Sequence, residues 1–304
     1  MNEIDNIRHL KRHEIDDAKW DATVGASPES RIYATTYWLD ILHPGWEALV
    51  TEDCGAVMPL TGNKKFAIAY LSQPYFTQQL GFYSCMPIDE NLIKRFINRA
   101  RALFSFAEIF VNFPVDGITI NYKNYVLPLN NTYSEIRKNY SKSLIQNSLK
   151  PLLKINLIYN KDLQIDVAIE QYKKLYQAKM KIAPSGYERL KLLANNLCKN
   201  GKCFTRQVYN DEGNLLAISL FFFDSRRIYN VVSSVTVAGR KLNANYFLYD
   251  ELIKEFSEKK IILDYEGSNV PGIEMFYRKF GATPEPYYFL KWNDLKWPLK
   301  LFKK

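Results

Sequence analysis

Histidine is nearly missing. The chain has three in 304 residues, His9, His13 and His43, and none follows position 43. A Ser-His-acid triad or a Cys-His nucleophile pair in the second half is thereby disfavoured. Cysteine is almost as scarce, and Cys54, Cys85, Cys198 and Cys203 lack zinc or redox spacing, so no metal is expected. Cys198 and Cys203 fall at a helix-to-strand junction and read as buried thiols, which suits a reducing cytoplasm. Long apolar runs are missing too. The stretch AISLFFFD (217–224) is far too short to span a bilayer. The polar start, MNEIDNIRHLKRHEIDD, has no apolar core of a signal peptide. Short repeats and low-complexity tracts are likewise not evident.

What is present is apolar and basic. Hydrophobic residues make up 47% and aromatics 14% of the chain, enough for one large or two medium cores. Charged residues, at 24%, are ordinary, but the net charge is +9. An anionic partner such as a phosphorylated cofactor, nucleic acid or membrane surface would account for that excess; a basic but merely solvated surface would also.

Periodicity divides the chain into two halves. In the second, INLIYN (155–160) reads as a strand, DVAIEQYKKLYQAKM (166–180) as a helix, and YERLKLLANNLCKN as another ending at Gly201. Three strands follow, CFTRQVYN, NLLAISLFFF and RRIYNVVSSV, across short turns. Next come the helix 242–259, the apolar run IILDYE, the proline-opened helix PGIEMFYRKF and the strand TPEPYYFLKW. The first half repeats part of this order in degenerate form. Between them, 133–154 reads as a basic helix carrying Arg137, Lys138, Lys142, Lys150 and Lys154, ended by Pro151. The expected class is α/β with a mixed sheet, divided as 1–131 and 132–304.

Asp264 and Glu266, spaced two apart on the IILDYE strand, are expected on one face. Carboxylates paired at a strand end can share a proton and take one from an attacking ammonium. Alternatively they cap the helix that follows.

The order of residues 153–292 resembles the GNAT N-acyltransferase fold, and nearly the whole chain resembles the double-GNAT arrangement of the FemABX type. The stretches carrying the likeness are YLSQPYFTQQLG (70–81), YSEIRKNYSKSLIQNSLK (133–150) and LDYEGSNVPGIEMFYRKFGA (263–282). The resemblance implies two tandem GNAT-like domains, the first degenerate, and transfer of an acyl group to an amine. GNAT enzymes take the acyl group from CoA. The Fem peptidyltransferases take it from aminoacyl-tRNA and extend a cell-wall precursor.

In GNAT enzymes the donor pyrophosphate rests on backbone N–H groups between the fourth strand and the next helix, as helix N-termini allow. The matching stretch is SSVTVAGRKLNANYF (233–247). It makes Val235, Val237, Arg240, Lys241, Asn243 and Asn245 candidate donor contacts, with Arg240 in register and Asn where Gly is usual. Asn tolerates left-handed backbone, so the loop can survive the change, although its side chain crowds a phosphate. By the same likeness Tyr277, in Tyr-Arg-Lys-Phe-Gly, is the acid that protonates a leaving thiolate. The Fem enzymes carry Lys in that register, and Tyr277 therefore favours a thioester. Tyr75, Gln78 and Gln79 are candidate acceptor contacts, as is Ser268 in the turn after Gly267.

The leading expectation is a cytoplasmic bacterial N-acyltransferase using acyl-CoA (acetyl-CoA) as co-substrate. Its acceptor would be an amine on a small molecule or on a cell-wall or polysaccharide precursor. Two other readings remain open: an aminoacyltransferase whose basic helix meets tRNA, and a catalytically silent binding protein. The tail KWNDLKWPLKLFKK mixes Trp292, Trp297, Leu299 and Phe302 with lysines. It is either an anchor at the inner membrane face or a segment docked on its own domain.

Overall fold

The computed structural model describes residues 7–300 except 67, 116, 118, 268 and 299. The chain forms two compact units, one of residues 1–122 with 286–304 and one of residues 123–285. The expected boundary at 131/132 thus falls inside the second unit, and the C-terminal segment returns to the first.

In the first unit β1 (Ile7–Lys11), β2 (Glu47–Thr51), β3 (Ala56–Leu60) and β6 (Tyr83–Ser84) form an antiparallel sheet. A second group comprises β4 (Gly62–Lys65), β5 (Ile68–Ser72), β7 (Phe106–Val111) and β14 (Thr283–Asn293). Helices α1 (Asp17–Ala26), α2 (Thr36–Leu42) and α3 (Glu90–Leu103) complete it. Helix α3 shows how the pattern works. Ile93, Phe96, Ile97 and Ala100 recur at helical spacing and are all buried, while Asp89 caps the N-terminus by accepting the Asn91 N–H at 2.9 Å.

In the second unit the strand order is β9 (Ile158–Asn160), β10 (Cys203–Tyr209), β11 (Leu215–Phe223), β12 (Arg227–Val235), β13 (Ile262–Asp264) and β8 (Thr119–Pro128). All neighbours are antiparallel except β12 and β13, which run parallel. Helix α5 (Ile165–Met180) lies along β11 and β12, and α6 (Pro184–Lys199) packs on α5 and β10. Between β12 and β13 come α7 (Val237–Lys241) and α8 (Ala244–Phe256), and α9 (Pro271–Lys279) follows β13. The core gathers Leu248, Leu252 and Ile253 of α8 with Phe221, Ile228 and Leu263 of the sheet.

Three expectations change. The basic helix 133–154 is not one helix but α4 (Tyr133–Lys138), a π-helical turn (Leu144–Leu149) and a 3-10 turn (Lys150–Lys154). Ser141 restarts the chain as a cap, its Oγ accepting the Leu144 N–H at 3.1 Å. Pro151, which has no N–H to give, accounts for the irregular end. Cys198 and Cys203 are joined as a disulfide rather than left as thiols; their Cα atoms lie 4.5 Å apart, a separation suited to that bond. Thirdly, 237–241 is helical where an irregular loop was expected.

Helix α7 sits directly on β11. The Thr236 N–H donates to the Leu216 carbonyl at 2.9 Å, and Thr236 Oγ1 accepts the Gly239 N–H at 3.0 Å. A Cβ on Gly239 would fall on that same Leu216 carbonyl. Gly239→Ala is therefore expected to push α7 off the sheet and destabilise the protein by about 1–3 kcal/mol. Denaturant unfolding of the two proteins measures this; an unchanged midpoint would show that α7 is free to shift.

Candidate functional site

The parallel pairing of β12 with β13 is short. It covers Arg227, Ile228 and Tyr229 against Ile262, Leu263 and Asp264, and then stops. Residues 230–235 continue beside β11 alone among the described strands, so β12 and β13 form a fork. On the β11 side the register slips between Leu220↔Val232 and Phe222↔Tyr229, leaving one extra β12 residue at Asn230–Val231. Such a bulge turns backbone groups out of the ladder, here beside the fork.

The base of the fork is locked by charge. Asp264, 1% exposed, accepts from Arg227 Nη1 at 3.0 Å and from Asn124 Nδ2 at 2.8 Å. Arg227 also grips Glu285 with Nη1 and Nη2 at 2.9 and 2.7 Å. Burial opposes the Arg227 charge, but Glu285 and Asp264 outweigh it and hold its pKa above the ordinary value.

Asp264 and Glu266 do not stand as strand neighbours on one face. The strand ends at Asp264, and Glu266 takes a left-handed conformation, φ 63°, that non-glycine residues seldom adopt. Its N–H donates to Asp264 Oδ1 at 3.0 Å, which holds the bend. Asp264 is thus engaged by three donors, whereas Glu266 lies half-buried beyond it.

Tyr277 of α9 is buried, its ring centroid 4.5 Å from that of Tyr265, the residue after β13. Burial, then Tyr249, then the Glu266 and Asp264 carboxylates push its phenol well above the usual value, so it stays protonated. The fold therefore brings Tyr277, Glu266 and Asp264 together at one end of β13.

Sequence reasoning missed a group of polar side chains around them. Tyr249 of α8 donates to Ser233 Oγ at 3.4 Å, and Ser219 Oγ donates to the same atom at 3.0 Å. Burial raises the Tyr249 pKa to about 12, with Ser233, Ser219 and Asn230 pulling it back. Asn230 Oδ1 and the Tyr265 hydroxyl, both buried, have no hydrogen-bond partner among the described residues. The signal was available: serine and asparagine inside the apolar strands AISLFFF and YNVVSSV need a reason to be there.

The connection from Val235 to Asn245 leads from the tip of β12 into α8. Val237, Arg240 and Lys241 are exposed on α7. Asn243 has φ 56° and ψ 27°, the left-handed geometry expected of an Asn standing in for Gly. The half-buried Asn245 lies in the first turn of α8, where backbone N–H groups lack intrahelical acceptors.

In the first unit Gln79 is buried and donates to Gln78 Oε1 at 2.7 Å, while Tyr75 is 45% exposed. Ser268, Leu299 and Phe302 lie outside the described residues. Trp292 is buried with its Nε1 donating to the Phe104 carbonyl at 2.8 Å, whereas Trp297 is exposed. Among the described residues no helix is long and apolar enough to cross a membrane. No group of three or more His, Cys, Asp or Glu placed to hold a metal ion occurs among them.

No protein-family model matches the chain, and no curated protein matches it in sequence. Solved structures do match. FemX superposes with a TM-score of 0.67 at 12% identity, covering 96% of this chain and 99% of FemX. A conserved protein of unknown function from Bacteroides thetaiotaomicron gives 0.57 at 10% identity, over 91% and 98% of the two chains. L-PGS from Bacillus licheniformis gives 0.53 at 10% identity, over 94% and 95%. This chain has the GNAT-like fold of the FemABX type.

Proposed function

We propose that this protein is an N-acyltransferase that moves an acyl group from a thioester donor, an acyl-CoA, to an amine. The observation that carries the reading is the fork: β12 leaves β13 after Tyr229, bulges at Asn230–Val231, and leads through α7 into a helix N-terminus. Such a fork leaves strand backbone free to hold a thioester, and the α8 N-terminus suits its pyrophosphate. Arg240 and Lys241, exposed beside it, add charge for the phosphates.

In this reading the donor carbonyl lies against β12, where a backbone N–H freed by the bulge receives the negative charge that develops on oxygen. Glu266 takes the proton of the attacking ammonium. Asp264, committed to Arg227 and Asn124, acts through Glu266 by fixing its backbone. As the C–S bond breaks, Tyr277 gives its proton to the sulfur, and the second proton shed by the newly acylated nitrogen restores the phenol, so that CoA leaves as its thiol. Burial keeps the proton on Tyr277 throughout the neutral range, so the phenol carries a proton when the sulfur departs. The acceptor is an amine on a small molecule or on a cell-wall or polysaccharide precursor.

A second reading, aminoacyl transfer from tRNA, is favoured by one feature. Arg137, Lys138, Lys142, Lys150 and Lys154 are all solvent-exposed, as a phosphate-binding face requires.

Tyr277→Phe is expected to lower turnover about 100-fold or more, the usual range for a lost general acid, with little change in donor affinity. Steady-state kinetics with acetyl-CoA and a panel of amines, alongside calorimetric CoA titration, checks this; unchanged turnover would remove Tyr277 from the chemistry. For the donor, charged tRNA should not shift in a native gel at low salt. A shift that weakens steeply with added salt, and disappears when the five basic residues are replaced, would instead establish the tRNA reading.

A further inference from the structure

At the mouth of the fork two buried side chains each carry a polar atom without a hydrogen-bond partner among the described residues. Tyr229 and Asp264 are the last paired residues, so Asn230 and Tyr265 occupy the next rung and point to the same side of the parallel pair. That side is the one covered by α8 and α9. The Tyr265 ring lies 5.4 Å from Tyr249 and 4.5 Å from Tyr277, and Asn230 is close enough to Tyr249 to lower its pKa by hydrogen bonding.

Asn230 is 6% exposed and Tyr265 fully buried, yet Asn230 Oδ1 and the Tyr265 hydroxyl are both unpartnered. Buried polar atoms in folded proteins nearly always have partners, so an exception needs an explanation, and an exception beside a reacting centre points to a ligand group. Two such atoms on one rung, beside the phenol assigned to the leaving sulfur, point to one ligand rather than to two separate defects.

We propose that Asn230 and Tyr265 form a specificity subsite for a short acyl group carrying an uncharged hydroxyl close to its carbonyl. The proposal rests on the acyltransferase reading and deepens it. Asn230 Oδ1 can only accept, so it needs a donor. The Tyr265 O–H can donate, so it needs an acceptor. One hydroxyl satisfies both. A plain alkyl chain satisfies neither and buries the two atoms still unpaired, the situation in which binding sites discriminate most strongly. An ammonium would bring a charge to a place where Asp264 is already neutralised by Arg227.

The test is calorimetric binding of CoA and three matched thioesters: butyryl-CoA, 3-hydroxybutyryl-CoA and 3-aminobutyryl-CoA. The 3-hydroxybutyryl thioester is expected to bind about tenfold more tightly than the butyryl one, and the amino thioester no more tightly than butyryl. In Tyr265→Phe and in Asn230→Leu the tenfold ratio should fall to about one. The melting temperature of the free protein should not fall in Tyr265→Phe, which removes only an unpaired buried hydroxyl and keeps the ring, whereas Asn230→Leu also gives up the amide hydrogen bond to Tyr249 and is read by the ratio alone. A purely structural role would do the reverse, lowering the melting temperature and leaving the ratio alone. Tyr265→Phe retains the ring and serves if Asn230→Leu fails to fold. Equal binding of the butyryl and hydroxybutyryl thioesters, tightest binding of the amino thioester, or a ratio that survives both substitutions overturns the subsite while leaving thioester binding intact. If neither CoA nor any thioester binds, the thioester reading falls and the subsite with it.

Discussion

The clamp of Arg227 on Asp264 and Glu285 is the constraint on which the second unit's architecture turns. A parallel strand pair only three residues long has few ladder bonds to hold it. The guanidinium ties β12 to the end of β13, and Asn124 ties β8 to the same carboxylate. Removing one partner from such a buried network typically costs about 3–5 kcal/mol, because the other charge is left without its counter-ion. With the base secured, β12 is free to leave β13 one residue later. The fork is thus a consequence of where the clamp stops. Glu266 depends on it as well, since the carboxylate that accepts its N–H is the one that Arg227 orients.

Around the fork the protein departs from the economy of its own core. Elsewhere in the second unit, leucine, isoleucine and phenylalanine fill the space between sheet and helices. Here phenols replace them: Tyr125, Tyr249, Tyr265 and Tyr277 lie with neighbouring ring centroids 4.5–6.1 Å apart. At Tyr265, whose hydroxyl has no partner among the described residues, phenylalanine would pack as well and would leave no hydroxyl to satisfy. An unpaired buried hydroxyl or amide typically costs about 1–3 kcal/mol. Stability alone does not select that arrangement. In the proposed reading a polar ligand meets this hydroxyl, and the lower stability of the empty state is the consequence.

The order of strands and helices was legible because each depends on local periodicity. Helix α9 opens at Pro271 and closes before Gly281, and β10, β11 and β12 are separated by turn residues at Asp211-Glu212-Gly213 and Asp224-Ser225. The left-handed Asn243 was likewise within reach, since asparagine tolerates that geometry. Tertiary facts were not. Nothing in IILDYE says that the strand ends at Asp264 or that Glu266 bends away, because that bend is set by a carboxylate held from β12 and β8. Arg227 looks like one of two arginines in a turn until β13 is laid beside it. The polar rung at Asn230 and Tyr265 joins residues 35 positions apart in sequence, through a parallel pairing that no short window contains.

The proposed donor loop is poor in glycine. A phosphate approaching backbone N–H groups is best served by glycine, whose lack of Cβ leaves room. The glycine in this loop, Gly239, is instead occupied by close contact with the Leu216 carbonyl, and Asn243 and Asn245 stand nearer the helix N-terminus. A donor held here therefore has less naked backbone to rest on than a glycine-rich loop would offer. It must draw more of its binding from side chains, from Arg240 and Lys241 outside the fork and from polar groups inside it. In the proposed reading, a rung able to recognise the acyl group would supply binding where the loop supplies less, which would make the asparagines and the unpaired atoms at Asn230 and Tyr265 two sides of one adaptation.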